Sequence, residues 1–250
     1  MKIQSPKDRI IFALDVSTIK EAEGLIRLLK DHIGMFKIGL QLFVGEGPKV
    51  IDAVLSQSSQ SKVFLDMKFH DIPETVKGAL KSADMHGVEF VTVHCDEGKG
   101  LLKTAVEGTG GKTKILGVTV LTSLAKDDLV DIGIGRELRD PVKLVLHRAR
   151  IAKAAGCYGV VCSGEEVRAV KEEFGDSLIA VTPGIRLSGE GIKNDDQKRI
   201  VTPYQAIYDG ADYIVVGRPI RAASDPAGAA DAIAKEIERA LKDRKQKMSL

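Results

Sequence analysis

A lysine lies between two aspartates in the segment DMKFHD (66–71), where Asp66, Lys68 and Asp71 follow the pattern D-x-K-x-x-D. The segment continues the apolar run KVFLDMK (62–68), and an ionised side chain in such a run is costly unless it is paired. An ammonium group held beside carboxylates can donate a proton and stabilise developing negative charge. The alternative is a structural Asp66–Lys68 ion pair, and the pattern alone does not decide between the two.

Charged residues also occur in two earlier apolar runs. Lys37 lies within FKIGL (36–40) and shares its strand face with Gly39, which leaves open space beside the amine. Asp15 comes near the end of the run IIFALDV (10–16). If these runs form neighbouring strands, four charges gather at one end of a sheet, and such a grouping favours a functional site over four separate structural roles.

Short β-branched runs recur along the chain and alternate with segments of helical periodicity. They predict eight strands, at 10–16, 36–40, 62–68, 90–95, 114–121, 158–163, 178–184 and 213–218. Eight such units predict a single-domain (β/α)8 TIM barrel over residues 1–250, with its core at about 9–240. The alternative, an open doubly wound sheet, often carries G-x-G-x-x-G after its first strand, whereas this strand ends in LDVST.

Glycine and arginine follow each of the last two predicted strands, in PGIR (183–186) and GRP (217–219). In (β/α)8 barrels the loops after strands seven and eight commonly bind phosphate. Glycine allows close backbone approach and arginine presents a planar fork to phosphate oxygens, so we expect a phosphate site here. The long polar segment 186–199 is typical of a lid or binding loop, and a disordered insertion is the alternative.

The overall charge is nearly balanced, with 37 Lys and Arg against 35 Asp and Glu, so we expect neither nucleic acid nor an anionic membrane as a partner. The N-terminal segment lacks an apolar signal core and no run approaches about 18 apolar residues, so we expect no membrane span.

Cys95, Cys157 and Cys162 show no C-x-x-C spacing, which favours free thiols and a cytoplasmic location. The sequence has no H-x-H, H-E-x-x-H or Cys/His cluster, so no transition-metal site is expected. Carboxylate-bound Mg2+ is harder to exclude, although two lysines in the same pocket argue against it.

Seven motifs extend these patterns along most of the chain. They are FALD (12–15), FKIGLQLF (36–43), DMKFHDIPET (66–75), VTVLTS (118–123), VTPGIR (181–186), DDQKRIVTP (195–203) and VVGRP (215–219). In order and spacing they resemble the orotidine 5'-phosphate decarboxylase family over about residues 9–240. The resemblance implies a homodimeric, cofactor-free and metal-free enzyme that converts orotidine 5'-phosphate into uridine 5'-phosphate, the last step of de novo pyrimidine synthesis.

The resemblance also implies a role for each matching residue. Lys68 would donate a proton to carbon 6 of the pyrimidine, within a network of Lys37, Asp66, Lys68 and Asp71. Asp71 and Thr75 would reach into the site of the neighbouring subunit. The remaining implied substrate contacts are Asp15 and Lys37 with the ribose, Thr122 or Ser123 with the pyrimidine, Arg186, Gln197, Gly217 and Arg218 with the phosphate, and Ile72 and Pro183 nearby.

Two other functions stay open. A Mg2+-dependent keto-sugar-phosphate decarboxylase or hexulose-phosphate synthase shares D-x-K-x-x-D, whereas Lys37 and the segment from VTPGIR to DDQ favour the nucleotide enzyme. Activity that EDTA does not affect would separate the two. A barrel that binds nucleotides without turnover is a further alternative, which a turnover assay would exclude.

Overall fold

Eight parallel strands close into a barrel in which each strand pairs with its sequence neighbours and the eighth pairs with the first. The structure, a computed structural model, describes residues 5–57, 60–187 and 199–248. The strands are β1 (Ile10–Ala13), β2 (Met35–Gly39), β3 (Val63–Phe69), β4 (Phe90–His94), β5 (Lys114–Val118), β6 (Gly159–Val161), β7 (Ile179–Thr182) and β8 (Tyr213–Val216). The closed order confirms the predicted (β/α)8 TIM barrel and excludes the open doubly wound sheet. The extent of the domain, 1–250 with a core at about 9–240, stays a prediction.

Helices connect the strands on the outside of the barrel. They are α1 (Ile19–Leu29), α2 (Leu40–Glu46), α3 (Lys49–Leu55), α4 (Pro73–Met85), α5 (Gly98–Gly108), α6 (Lys126–Asp131), α7 (Pro141–Ala155), α8 (Val167–Phe174), α9 (Pro203–Tyr208), α10 (Arg218–Arg221) and α11 (Pro226–Met248). Side-chain caps set several of their starts: Thr18 accepts a hydrogen bond from the N–H of Glu21 before α1, and Asp140 accepts one from Lys143 before α7. Of the helices described, none is both long and apolar enough to cross a membrane.

Alternation along each strand divides the core into two parts. On β3, Val63, Leu65 and Met67 pack outward among the residues that meet the helices, while Phe64 belongs to the cluster inside the barrel. Asp66 and Lys68 have the same parity as Phe64, and all three line the pocket described below. The strand face predicted for the two charged residues is therefore confirmed.

Aromatic rings fill the interior towards the N-terminal ends of the strands. Phe90 lies 6.1 Å from Phe64, 5.8 Å from Tyr158 and 5.5 Å from Tyr213, measured between ring centroids. Lys114, the first residue of β5, places Nζ 4.9 Å from the centroid of Tyr158. We call Phe64, Phe90, Tyr158 and Tyr213 the aromatic floor. Because it occupies one end of the barrel, a ligand site must lie towards the C-terminal ends of the strands.

Candidate active site

Four charged side chains form a continuous row across the first three strands. Lys37 Nζ lies 3.2 Å from Oδ1 of Asp15 and 3.6 Å from Oδ2 of Asp66. The same Asp66 oxygen accepts a hydrogen bond of 2.9 Å from Lys68 Nζ. Each ammonium group therefore lies next to a carboxylate, and the predicted gathering of four charges at one place is confirmed.

The strand register explains why the row is continuous. Ala13 pairs with Lys37, and Gly39 pairs with Asp66, so the charged positions of adjacent strands lie side by side. A Cβ atom at Gly39 would lie 3.1 Å from Lys37 Nζ and 3.5 Å from Asp15 Oδ1. The glycine thus leaves room for the Lys37–Asp15 contact, as the sequence predicts.

Regular pairing between β3 and β4 is interrupted where the charges lie. Val91 and Val93 of β4 pair with β3 residues that are four positions apart, so three residues of β3 lie opposite Thr92 alone. Lys68, one of the three, has a φ of 51°, in the left-handed region that residues with a Cβ rarely adopt. The interruption therefore gives the lysine of D-x-K-x-x-D an unusual backbone conformation.

The Asp66 carboxylate is buried and bonded through both oxygens. Thr92 donates a hydrogen bond of 2.9 Å to Oδ1, while Lys68 donates to Oδ2. Burial raises the pKa of the Asp66 carboxyl, but the charges of Lys37 and Lys68 and the two hydrogen bonds outweigh it, so the pKa lies below its ordinary value of 3.8. Asp66 is therefore ionised at neutral pH and holds both ammonium groups.

The row of charges lines a pocket of about 310 Å³. Apolar side chains form much of its wall, namely those of Ala13, Phe64, Val118, Val120, Leu121, Val161 and Val215. The predicted site residues that line it are Asp15, Lys37, Asp66, Lys68, Thr122, Ser123, Pro183, Arg186, Gly217 and Arg218. A few converging polar groups in a partly apolar cavity are typical of a small-molecule site.

Two arginines lie in the same pocket, Arg186 after β7 and Arg218 after β8, and these strands pair with each other. The N–H of Arg186 donates to the carbonyl of Val201 at 3.0 Å, and the N–H of Val201 donates to the carbonyl of Gly184 at 3.1 Å. This backbone pairing joins the chain before and after the predicted loop 186–199. The backbone of the first arginine is therefore fixed by main-chain contacts, and both arginines line the same pocket.

Three of the described site residues are not brought into the pocket. Asp71, Ile72 and Thr75, all described, follow β3 on the exposed surface and do not line the pocket of their own chain. Asp71 Oδ1 accepts a hydrogen bond of 2.7 Å from the N–H of Ile72. Contributions from Asp71 and Thr75 to a neighbouring subunit stay predictions. Gln197 and residues 188–198 of the predicted loop lie outside the described residues.

Thr92 was not among the predicted site residues. Strand alternation places it on the same face as Phe90 of the interior cluster, and it is fully buried. A polar side chain at an inward position of a parallel strand was the available signal.

A buried ion pair between Glu166 and Arg199 was also missed. Arg199 Nη1 donates to Glu166 Oε1, and its Nη2 donates to the carbonyl of Leu121 at 2.8 Å. Ser163 N–H donates to the other Glu166 oxygen at 3.0 Å. The contacts tie together the segments after β5, β6 and β7, beside the pocket residue Thr122, and no local pattern connects residues so far apart in sequence.

The histidines of the neighbourhood are engaged with one another and with acidic residues. The rings of His70 and His94 are 5.3 Å apart, and His70 Nε2 lies 2.7 Å from Glu97 Oε1. Burial lowers the pKa of His94. Among the side chains that the structure describes, no group of three or more His, Cys, Asp or Glu is placed to hold a metal ion. Independence of metal and cofactor stays a prediction.

The closed parallel barrel and the charged pocket at the C-terminal ends of its strands define a (β/α)8-barrel enzyme. A family model described as "Orotidine 5'-phosphate decarboxylase / HUMPS family" matches residues 8–233. The chain therefore belongs to this family, and the resemblance noted in its motifs is confirmed.

Individual relatives agree with the family assignment. The chain is 51% identical over 243 residues to the orotidine 5'-phosphate decarboxylase of Desulfosudis oleivorans, covering 97% of this chain and 98% of the relative. It is 44% identical to that of Anaeromyxobacter sp., with 92% and 98% covered. The crystal structure of the Lactobacillus acidophilus orotidine 5'-phosphate decarboxylase superposes with a TM-score of 0.78 at 38% identity, covering 91% of this chain and 98% of that one.

Proposed function

We propose that this chain decarboxylates orotidine 5'-phosphate to uridine 5'-phosphate, the last step of de novo pyrimidine nucleotide synthesis. The observation that carries the proposal is the Lys68 ammonium, which faces the pocket 2.9 Å from a buried carboxylate. The relatives named above supply the substrate class, because they share the name orotidine 5'-phosphate decarboxylase at 51% and 44% identity. A cytoplasmic location belongs to the same proposal and is supported by three free, buried cysteines.

The chemistry calls for a fixed positive charge. When the bond between carbon 6 and the carboxylate breaks, the electron pair stays on carbon 6 in an orbital orthogonal to the ring π-system, so the ring cannot delocalise it. Stabilisation must then come from preorganised charge near that carbon. Lys68 supplies the charge and transfers a proton to carbon 6 as carbon dioxide leaves, and the neutral amine regains a proton from solvent. No cofactor takes part in these steps.

The other members of the row orient Lys68 and bind the sugar. Asp66 holds Lys68 and Lys37 through one carboxylate oxygen, at 2.9 and 3.6 Å. Asp15 and Lys37, 3.2 Å apart at the edge of the pocket, bind the ribose hydroxyls. Two ammonium groups and two carboxylates so arranged are nearly neutral as a set, which limits the cost of holding them in a partly buried pocket.

The phosphate binds at Arg186, Arg218, the backbone of Gly217 and Gln197, while Thr122 or Ser123 contacts the pyrimidine, with Pro183 nearby. The described arginines support this assignment because both line the pocket and come from paired strands. Phosphate lies far from the reacting carbon, so its binding energy is used to order the site before the reaction. A substrate without phosphate should therefore lose rate as well as affinity.

We further infer a homodimer in which Asp71 and Thr75 complete the site of the partner chain. Both residues are exposed in one chain although they directly follow the strand that carries Lys68. Mixing Lys68→Ala with Asp71→Ala subunits tests this arrangement, because a mixed dimer would contain one site with neither substitution. Activity well above that of either variant alone is expected, and no recovery would contradict shared sites.

The main experiment follows the absorbance of orotidine 5'-phosphate with catalytic amounts of the protein, with and without EDTA. We expect turnover that EDTA does not change. Loss of this activity in EDTA would contradict the metal-free mechanism. Absence of both turnover and binding would favour a sugar-phosphate enzyme, and binding without turnover would favour a nucleotide sensor.

A matched pair of variants tests the proton donor. Lys68→Ala removes both the charge and the proton, so kcat should fall by about 10⁴-fold or more while the fold is kept. Lys62→Ala makes the same change just before the opposite end of the same strand and should leave kcat within about twofold. Wild-type activity in Lys68→Ala would refute the mechanism.

A further inference from the structure

We propose that Thr92 is the positioning residue for the proton donor, because its hydroxyl fixes the backbone of Lys68 and the carboxylate of Asp66 at the same time. The inference rests on the proposed function and deepens it, since it concerns how the reacting lysine is held. Thr92 does not line the pocket among the described residues, so it acts through its two neighbours and not on the substrate.

The interrupted pairing between β3 and β4 creates the need for such a residue. In a regular parallel ladder, backbone N–H groups of one strand bond to carbonyl groups of the next. Three residues of β3, including Lys68, lie opposite the single residue Thr92. The N–H of Lys68 instead donates to the Thr92 hydroxyl at 2.8 Å. A side chain thus takes the place of a carbonyl partner.

The same hydrogen bond supports an unfavourable conformation. Lys68 has a φ of 51°, and within the described ranges it is the one residue other than glycine with a positive φ. Such conformations persist where the surroundings determine them, and they concentrate at functional sites. The direction in which the Lys68 side chain leaves the strand follows from this backbone geometry, so whatever fixes the backbone also aims the amine.

The Thr92 hydroxyl closes a ring of three contacts. Because its oxygen accepts the N–H of Lys68, its own proton is directed to Asp66 Oδ1 at 2.9 Å. The other Asp66 oxygen accepts from Lys68 Nζ at 2.9 Å. One hydroxyl therefore connects the backbone and the terminal amine of the same lysine. Thr92 has no exposed surface, so solvent is not positioned to replace it.

Three variants test the proposal. Thr92→Val keeps the shape of the side chain and removes the hydroxyl, whereas Thr92→Ser keeps the hydroxyl. Thr113→Val is the matched control, since Thr113 is also buried and its hydroxyl donates to a carboxylate, that of Asp84, at 2.8 Å, but it lies before β5 at the end of the barrel away from the pocket.

We expect Thr92→Val to lower kcat by about 10- to 100-fold and to leave KM within about threefold, because the substrate contacts remain while the amine is misplaced. Thr92→Ser should stay within about fivefold of wild-type kcat, and Thr113→Val within about twofold. Exchange of the Lys68 backbone N–H with solvent should be faster in Thr92→Val and unchanged in Thr113→Val.

Each outcome has one meaning. Wild-type kcat in Thr92→Val, or equal losses in Thr92→Val and Thr113→Val, would overturn the proposal and leave the decarboxylase function standing, since wild-type turnover is measured separately. Thermal unfolding of every variant is recorded and assays are run below the transition. If Thr92→Val is unfolded at the assay temperature, Thr92→Ala is compared with Thr92→Ser, and similar kcat values for these two would likewise overturn it.

Discussion

Replacing Asp66 with asparagine should destabilise the protein even in the absence of any ligand. The change keeps the size of the side chain and removes a carboxylate that lies within 3.6 Å of both Lys37 and Lys68. The two ammonium groups then face each other's charge without the buried anion between them. Lys37 keeps a partner in Asp15, but that carboxylate is half exposed and screened by water.

The size of the effect follows from the burial of the three side chains. Removing one partner of a buried ion pair costs about 3–5 kcal/mol. The Asp66 and Lys37 side chains are 12% and 11% exposed, whereas Lys68 is 32% exposed and can be partly rehydrated. We therefore expect a loss of about 2–4 kcal/mol in the free energy of unfolding. For a chain of this length, 3 kcal/mol corresponds to a fall in Tm of roughly 6–12 °C.

The assay is thermal unfolding at pH 7 and fixed protein concentration, because the Tm of the proposed dimer would depend on concentration. Asp52→Asn, an exposed aspartate on α3, is the control for neutralising a carboxylate and should change the free energy of unfolding by less than about 0.5 kcal/mol.

A double-mutant cycle with Lys68→Met then isolates the pair. In the Lys68→Met background, the loss in the free energy of unfolding caused by Asp66→Asn should be smaller by at least about 1 kcal/mol, because the lysine that loses its partner is no longer present. A Tm for Asp66→Asn equal to that of the wild type, or strictly additive effects in the cycle, would refute the electrostatic account of the row.

Further predictions concern pH, the arginines, the buried ion pair and the thiols. The pKa of Asp66 is lower in the folded protein than its ordinary value. The ionised carboxylate therefore contributes fully to stability above about pH 4, and this contribution is lost as the pH falls through the pKa of the folded state. Between pH 7 and 3, the free energy of unfolding of the wild type should approach that of Asp66→Asn. Arg186→Ala and Arg218→Ala should each raise the Kd for uridine 5'-phosphate by about 10- to 100-fold and leave the Kd for uridine unchanged. Titration calorimetry would measure both constants. Equal effects on the two ligands would show that the phosphate binds elsewhere. Glu166→Gln leaves the buried Arg199 charge without its partner and should lower the free energy of unfolding by about 3 kcal/mol in urea, whereas Glu165→Gln, at the adjacent exposed position, should have little effect. Burial raises the pKa of Cys157 to about 12 and also raises the pKa of Cys95 and Cys162. Iodoacetamide at pH 8 should therefore modify the three thiols in urea but not in the native protein. Rapid labelling of the native protein would contradict the burial of these thiols.

The barrel and most of the pocket could be predicted from the sequence because they follow from short-range patterns. Strand alternation placed Asp66 and Lys68 on the inner face, and the order of the strands placed Lys37 and Asp15 beside them. Glycine and arginine at the ends of the last two strands indicated where Arg186 would lie. In each case the pattern spans only a few residues, and the regular geometry of the parallel barrel then determines where those residues lie.

The features that the sequence did not predict depend on contacts between distant segments. The inward position of Thr92 was a local signal, but threonine is common in strands, and nothing in its own segment marked it as the partner of Lys68. The left-handed backbone of Lys68 arises from the pairing of β3 with β4, which no single segment encodes. Glu166 and Arg199 meet through the packing of three loops. The roles proposed for Asp71 and Thr75 involve a second chain, which the sequence of one chain does not position.

The aromatic floor has a consequence for how molecules enter and leave. Phe64 belongs both to the floor and to the wall of the pocket, so the bottom of the binding chamber is made of tightly packed rings. Within the residues that the structure describes, the chamber is therefore closed towards the N-terminal ends of the strands and opens towards their C-terminal ends. Under the proposed reaction, carbon dioxide and the nucleotide product would leave at the end of the barrel where the substrate enters, and release of the larger product is then a natural candidate for the slowest step of the cycle.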